Sequence, residues 1–394
     1  MNAAIMFVCL SVSATPGQAG PPPIFQAPLI KVMKRFMDAP GADGERQSQL
    51  YHQLLHNRIA VGLQFLKPDN PKLQGDPKHD FSAEPTTYFH RRSPVGLVMA
   101  KYKNGNPPFA VVDMDVGTMA AYARKGQTVH FFERDTTIAK LSRTDKDKKP
   151  LFTYLQDAIA RGADVKIFGG EPRPSFEKHS ANGFYQVIVV NTYKLPVVTV
   201  HKDLMTKEGM KMLMDKTRDD GILCFHTSSR YYELDRIIAS VAADLKFASI
   251  SATDMAPWAD PWQRAWPSSW IMVARKQEQL AHLKVPEGYS EAIKGKFFGP
   301  DPYWHPTDAD KKYVWTDKGP NSFKGLYRTD PIMSELDNVV TDVEDLIIDR
   351  VGQHALVTTI ARPFHGAVQA LARLRTLALN GEWPRKIEKK DKDK

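Results

Sequence analysis

The sequence predicts an α/β protein built on a parallel sheet with helices on both faces, and three observations carry that reading. From Phe109 to about Arg275, short apolar runs alternate with stretches whose apolar residues recur at helical spacing, the pattern of a doubly wound sheet. One run, YQVIVV at 185–190, offers no charged position on either face, as a strand covered on both sides requires. The segment 109–135, FAVVDMDVGTMAAYARKGQTVHFFERD, reads as strand, turn, helix and second strand ending in an acid. That layout usually binds a nucleoside, yet aspartates stand at two turn positions where glycine is expected.

Taken in order, residues 1–19 hold an apolar stretch from Ala3 to Val12 followed by small residues, without the basic start of a secretory leader. A cleaved leader and a frayed start both stay open, and export or a cytoplasmic location follows from whichever holds. The stretch is too short to span a bilayer, which needs about 20 apolar residues. GPPPIFQAP at 20–28 reads as a proline-rich spacer without packing capacity. LIKVMKRFM, from Leu29, carries apolar residues at helical spacing, and YHQLLHNRIAVGLQFL leads toward a strand. Residues 67–83 are polar and read as an exposed loop.

The strands expected next are FAVVDM, TVHFFE, DVKIFG, YQVIVVN, GILCFHT, KFASISA and SWIMVAR. Between them GTMAAYAR, KDLMTKEGMKMLMDKT and YYELDRIIASVAADL are expected helices. APWADPWQRAWPSSW at 256–270 reads as a loop that packs on the domain, or else covers the cleft mouth or supplies a partner surface, and 286–330 as an irregular segment rich in Pro, Gly, Trp and Tyr. LDNVVTDVEDLIIDRV and FHGAVQALARLRTLAL return to helical spacing. The expected organisation is a leader and linker at 1–28, an N-terminal subdomain at 29–100, a Rossmann-like domain at 101–285, a C-terminal extension at 286–384 and a charged tail at 385–394.

Composition narrows the function classes. The 394 residues are 42% hydrophobic and 25% charged, ordinary for a globular chain. Part of the net charge of +9 sits in the tail RKIEKKDKDK, where six basic and three acidic side chains leave +3. No aromatic residue is interleaved with that run, so it reads as a solvated tail and no nucleic-acid partner is expected. Cys9 and Cys224 have no neighbours at metal-ligand spacing, which argues against a disulfide scaffold and a zinc site.

Glu133 follows Gly117 by sixteen residues and ends the strand TVHFFE. There it can accept the hydroxyls of a ribose, or stand as a solvated strand-end acid; spacing alone leaves both open. Asp113, Asp115 and Glu133 together could form an acidic pocket for a cation, against which stands the plainer reading of solvated acids, and no metal site is assigned.

These residues carry a resemblance. VVDMDVGTMAAYARKGQTVHFFERD, LFTYLQD, GGEPRPSFE, YQVIVVNTYKLPVVTVHKDLMTKEG, DDGILCFHTSSRYYEL and SSWIMVAR resemble, in order, the spermidine synthase (polyamine aminopropyltransferase) domain, with the form fused behind a membrane transporter in bacteria the most similar. HNRIAVGLQF, EPTTYFHRRSPVG and VWTDKGPN extend the likeness to roughly residues 50–330. The resemblance implies a Rossmann-like S-adenosylmethionine-dependent methyltransferase fold with a small N-terminal β-rich subdomain and a helical C-terminal extension. It implies decarboxylated S-adenosylmethionine or S-adenosylmethionine as co-substrate, with no permanently bound cofactor, a polyamine acceptor, no transmembrane span and a homodimer.

Carried over by position, the glycine-rich loop falls on Asp113, Asp115 and Gly117, and Glu133 matches the ribose-binding acid, followed by Asp135. Glu171 stands where the family has an aspartate at the adenine end. Asn191 replaces the aspartate that accepts the amine's proton, and a neutral amide has no useful basicity near neutral pH. Val61 replaces a histidine beside Gly62, while Gln64 is kept.

Tyr88 and His90 match a segment near the polyamine side of the family's cleft, and His226 matches its Phe-His segment, which shapes the substrate pocket, although hairpin packing for the first two and a buried hydrogen-bonded histidine for the third explain them as well. Asp157 and Asp317 are retained positions with a structural reading. Ser228 and Ser229 lack the G-x-S-x-G turn of a nucleophile elbow. Two functions therefore stay open: a transferase with altered chemistry, and a non-catalytic binding or structural module that keeps the fold.

Overall fold

The computed structural model describes residues 23–326 except 28, 41–45, 57–58, 73–79, 103, 145–148, 192–200, 230–231, 255–264, 284–301 and 324–325. The expected leader, C-terminal helices and charged tail lie outside the described residues, as does most of the tryptophan-rich loop. Among the described residues no helix is long and apolar enough to cross a membrane.

Two sheets organise the chain. The first is antiparallel and takes the order β1 (Phe25–Gln26), β2 (Ile30–Pro40), β3 (Arg46–His56), β4 (Ile59–Phe65). This corrects two expectations. LIKVMKRFM is a strand, because eleven residues of β2 pair with β3, from Ile30 opposite His56 to Pro40 opposite Arg46. Its buried Ile30 and Val32 follow the period of two, whereas Met33, Phe36 and Met37 supplied the helical spacing. Nor is the proline-rich segment a bare spacer, since Phe25 and Gln26 pair with Val32 and Lys31 and Phe25 packs on the core.

The second sheet takes the order β12 (Tyr303–His305), β10 (Ala248–Asp254), β11 (Ser268–Ala274), β9 (Thr217–His226), β8 (Tyr185–Asn191), β5 (Phe109–Val112), β6 (Thr128–Glu133), β7 (Asp164–Gly169). From β9 to β7 neighbouring strands run parallel, whereas β9, β11, β10 and β12 meet antiparallel. The sheet is therefore mixed, parallel in its central part and antiparallel at one edge. A three-two-one-four-five parallel order closed by an antiparallel strand inserted next to the fifth is the Rossmann-like methyltransferase arrangement. Together with the preceding antiparallel sheet it gives the spermidine synthase-like fold that the motifs imply.

Strands β5 and β8 are buried at every residue, so the chain's most apolar runs take the middle of the sheet. Helices α1 (Pro94–Lys101), α2 (Thr136–Leu141), α3 (Tyr154–Ala160), α4 (Pro172–His179), α5 (Lys207–Lys216) and α6 (Leu234–Asp244) contribute to the cores on its two faces. The starts are written in the sequence. Asp135 caps α2 by accepting from Thr137 and Ile138 N–H, and Thr206 caps α5 by accepting from Gly209 N–H. Leu234, Ile237, Ile238 and Val241 form the buried stripe of α6. The expected helix GTMAAYAR is only a 3₁₀ turn over Thr118–Tyr122.

The strand order reverses at β5, with β6 on one side and β8 on the other. Sheets of this kind bind ligands above the carboxyl ends of the strands at that point.

Candidate functional site

The loop after β5 holds three left-handed residues: Asp113 at φ 59°, Asp115 at φ 49° and Gly117 at φ 81°. The backbone thus keeps the conformation that glycine favours although two side chains have been added, each at a cost of about 1 kcal/mol that aspartate tolerates better than most residues. Gly117 donates to Met114 O at 2.7 Å. A Cβ at 117 would overlap Leu155 Cδ1 of α3, so α3 packs directly on the glycine. All of residues 111–120 are buried.

The two aspartates point into the fold. Asp113 is 0% exposed and bonds His201 Nε2 at 2.9 Å. Asp115 is 1% exposed; its Oδ2 accepts from Asn191 Nδ2 and lies 2.7 Å from the Tyr88 hydroxyl, whose single hydrogen is shared with Val61 O at 2.7 Å. Glu133 is likewise buried; one carboxylate oxygen accepts from Met114 N–H at 2.9 Å and the other from Asp135 N–H at 2.8 Å. The solvated-acid reading is corrected for all three. Each carboxylate is held by hydrogen bonds that offset its burial. Among the described residues no group of three metal-ligating side chains is placed to hold a metal ion.

Asn191, at the end of β8, has a fixed amide orientation. Its nitrogen faces the Asp115 carboxylate, so its oxygen accepts from His226 Nδ1–H at 2.9 Å. That places the lone pair of His226 on Nε2, which takes the hydrogen of Ser228 O–H at 2.7 Å, while Ser228 Oγ accepts from Ser269 N–H at 2.7 Å. Burial pushes the pKa of His226 down to about 3. Its ring lies between Tyr88 and Trp270, with centroids at 4.3 and 4.6 Å.

Of the expected site residues, His90 and Glu171 lie outside this network. His90 bonds Asp254 at 2.8 Å at the end of β10. Tyr88 and His90 sit on a turn that includes Thr87 at φ 57°, which corrects the hairpin expectation; Thr87 bridges to Ala265. Glu171 is exposed at the start of α4 and makes no capping bond. The neighbouring Arg173 pairs both its terminal nitrogens with Asp317, at 2.8 and 2.7 Å. Asp157 accepts from Thr153 O–H, and Gln64 bridges Ser82 O to Thr153.

Sequence reasoning missed His201 and Leu155. No local signal marks either, since their partners are 88 residues away for His201 and across a helix packing contact for Leu155.

No family model matches the chain, and no curated protein matches it. Solved structures that it resembles include a probable spermidine synthase from Corynebacterium glutamicum, at 12% identity over 74% of this chain and 92% of that one with a TM-score of 0.42. Another is a spermidine synthase from Thermotoga maritima, at 11% identity over 77% and 88% with a TM-score of 0.38. A ribosomal protein L11 methylase from Lactobacillus delbrueckii subsp. bulgaricus matches at 15% identity over 46% and 77% with a TM-score of 0.29. At these values the fold assignment stands on the chain's own strand order.

Proposed function

We propose that this chain is a spermidine synthase-like protein whose nucleoside site is filled by its own side chains, a non-catalytic module with respect to aminopropyl and methyl transfer. The observation that supports it best is the bonding of Asp115 to both Tyr88 and Asn191 at 1% exposure. In the family whose motifs the chain resembles, a glycine leaves that place to the ligand, and an aspartate stands where Asn191 does. Here the carboxylate has in effect moved from the strand end to the loop, and the amide accommodates it. Leu155 against Gly117 and the backbone donors on Glu133 add to the same reading.

The transferase reading rests on Glu133, which keeps its strand-end position, and on a loop that keeps its left-handed backbone. Incubating the protein with decarboxylated S-adenosylmethionine and putrescine, and following release of methylthioadenosine, separates the two. No release above a protein-free blank is expected; release abolished by Glu133→Ala overturns the proposal. Homodimerisation, a polyamine partner and the cellular location are carried forward from the resemblance, and none of them enters this assay.

A further inference from the structure

Ser228, His226 and Asn191 form a hydrogen-bonded series with a single direction. Ser228 O–H donates to His226 Nε2 at 2.7 Å, and His226 Nδ1–H donates to Asn191 Oδ1 at 2.9 Å. Asn191 in turn donates to the Asp115 carboxylate. Nucleophile, base and orienting group stand in the relation that defines an acyl-transfer triad, which is recognised by geometry and roles and not by position in the chain. The series lies at the carboxyl ends of β8 and β9, where sheets of this order hold their ligands, and Ser228 is half-buried while His226 is fully enclosed.

We propose that Ser228 is an activated nucleophile with His226 as its base and Asn191 as its orienting residue, acting on small carboxylic esters with apolar acyl groups. Tyr88 and Trp270, themselves buried, flank the imidazole, and the half-buried Trp266 lies against Tyr88 at 5.9 Å; these apolar surroundings of the base suit small apolar acyl groups. Burial opposes the imidazolium, and the two ring faces and the Asp115 carboxylate behind the amide offset part of that cost.

In the step itself, Ser228 Oγ bonds to the carbonyl carbon of the ester while its proton passes to His226 Nε2. Collapse of the adduct breaks the bond to the alcohol oxygen, which leaves with that proton. Water then attacks the acyl-serine by the same route, releasing the carboxylic acid and restoring the hydroxyl.

The test is labelling of the full chain with a rhodamine-tagged fluorophosphonate, with p-nitrophenyl acetate hydrolysis measured alongside. Adduct mass mapped to Ser228, lost in Ser228→Ala and slowed at least about 100-fold in His226→Gln, is the expected result. Labelling of wild type no faster than of His226→Gln, or on another serine, overturns it. Should His226→Gln fail to fold, the pH profile of wild type decides. A serine activated by a histidine that stays neutral above about pH 3 labels at a rate nearly flat from pH 5 to 8. A rate that instead rises about tenfold per pH unit indicates attack by an unassisted alkoxide and overturns the assignment. Nucleoside turnover and Ser228 labelling are separate readouts, so failure of either leaves the other standing.

Discussion

Replacing Asn191 by aspartate turns the donor that faces Asp115 into a second carboxylate. Asn191 Nδ2 sits within hydrogen-bond reach of Asp115 Oδ2, so the two charges would lie about 3 Å apart, where they repel by about 5–6 kcal/mol at an effective dielectric of 20. The hydrogen bond to a charged acceptor is lost as well, worth about 2 kcal/mol. Uptake of a proton by one of the pair relieves part of this, leaving an expected loss of about 4 kcal/mol in unfolding free energy at pH 7.5 and about 2 kcal/mol at pH 5.

Asp115→Gly alone removes the acceptor shared by Tyr88 and Asn191 but restores glycine at φ 49°, for a net loss of about 2 kcal/mol. In the double variant the repulsion is absent, so the two losses fail to add by at least about 3 kcal/mol. Urea unfolding of the four proteins at pH 7.5 measures this, with the pH 5 series covering Asn191→Asp if it is unfolded at the higher pH. Additivity within about 0.5 kcal/mol would refute the contact and the compensation built on it.

Three further outcomes follow from the same structure. Gly117→Ala combines a left-handed backbone with overlap on Leu155 Cδ1 and is expected to lower stability by about 3 kcal/mol in urea unfolding; a loss under about 1 kcal/mol means that the loop does not pack on α3 in solution. Acid should destabilise the fold in a defined window: His226 and His130 are buried with pKa values lowered to about 3 and about 4. Their unfolded forms bind protons first, so the stability present above pH 6.5 is lost as pH falls toward 4, at up to about 1.4 kcal/mol per unit for each histidine. Thermal midpoints measured from pH 7 to 4 check this, and His226→Gln should flatten the slope. Asp317→Asn, at a partly exposed pair with Arg173, should cost about 1 kcal/mol, less in 0.5 M salt; unfolding at two salt concentrations reads it.

Much of the fold was legible because β5, β6, β8, β9 and α6 are specified locally, by runs and stripes of apolar residues that suit only one burial pattern. Strand β2 was not, because Met33, Phe36 and Met37 mimic a helical face and only pairing with β3 decides the conformation. The direction of β10 to β12 is a matter of order within the sheet, which no single run contains. At the site, the positions of Glu133 and Asn191 followed from strand ends, but their surroundings did not. Asp115 meets Tyr88 and Asn191 across 27 and 76 residues, and Asp113 meets His201 across 88. Such contacts turn what read as solvated acids into a buried network.

We propose that the protein's own side chains fill the place of a nucleoside. Calorimetric titration of the full chain with methylthioadenosine, S-adenosylmethionine and decarboxylated S-adenosylmethionine tests it most directly. No binding heat is predicted up to about 1 mM ligand, a ceiling of about −4 kcal/mol in binding free energy. A saturable isotherm for any of the three, lost in Glu133→Ala, would contradict it.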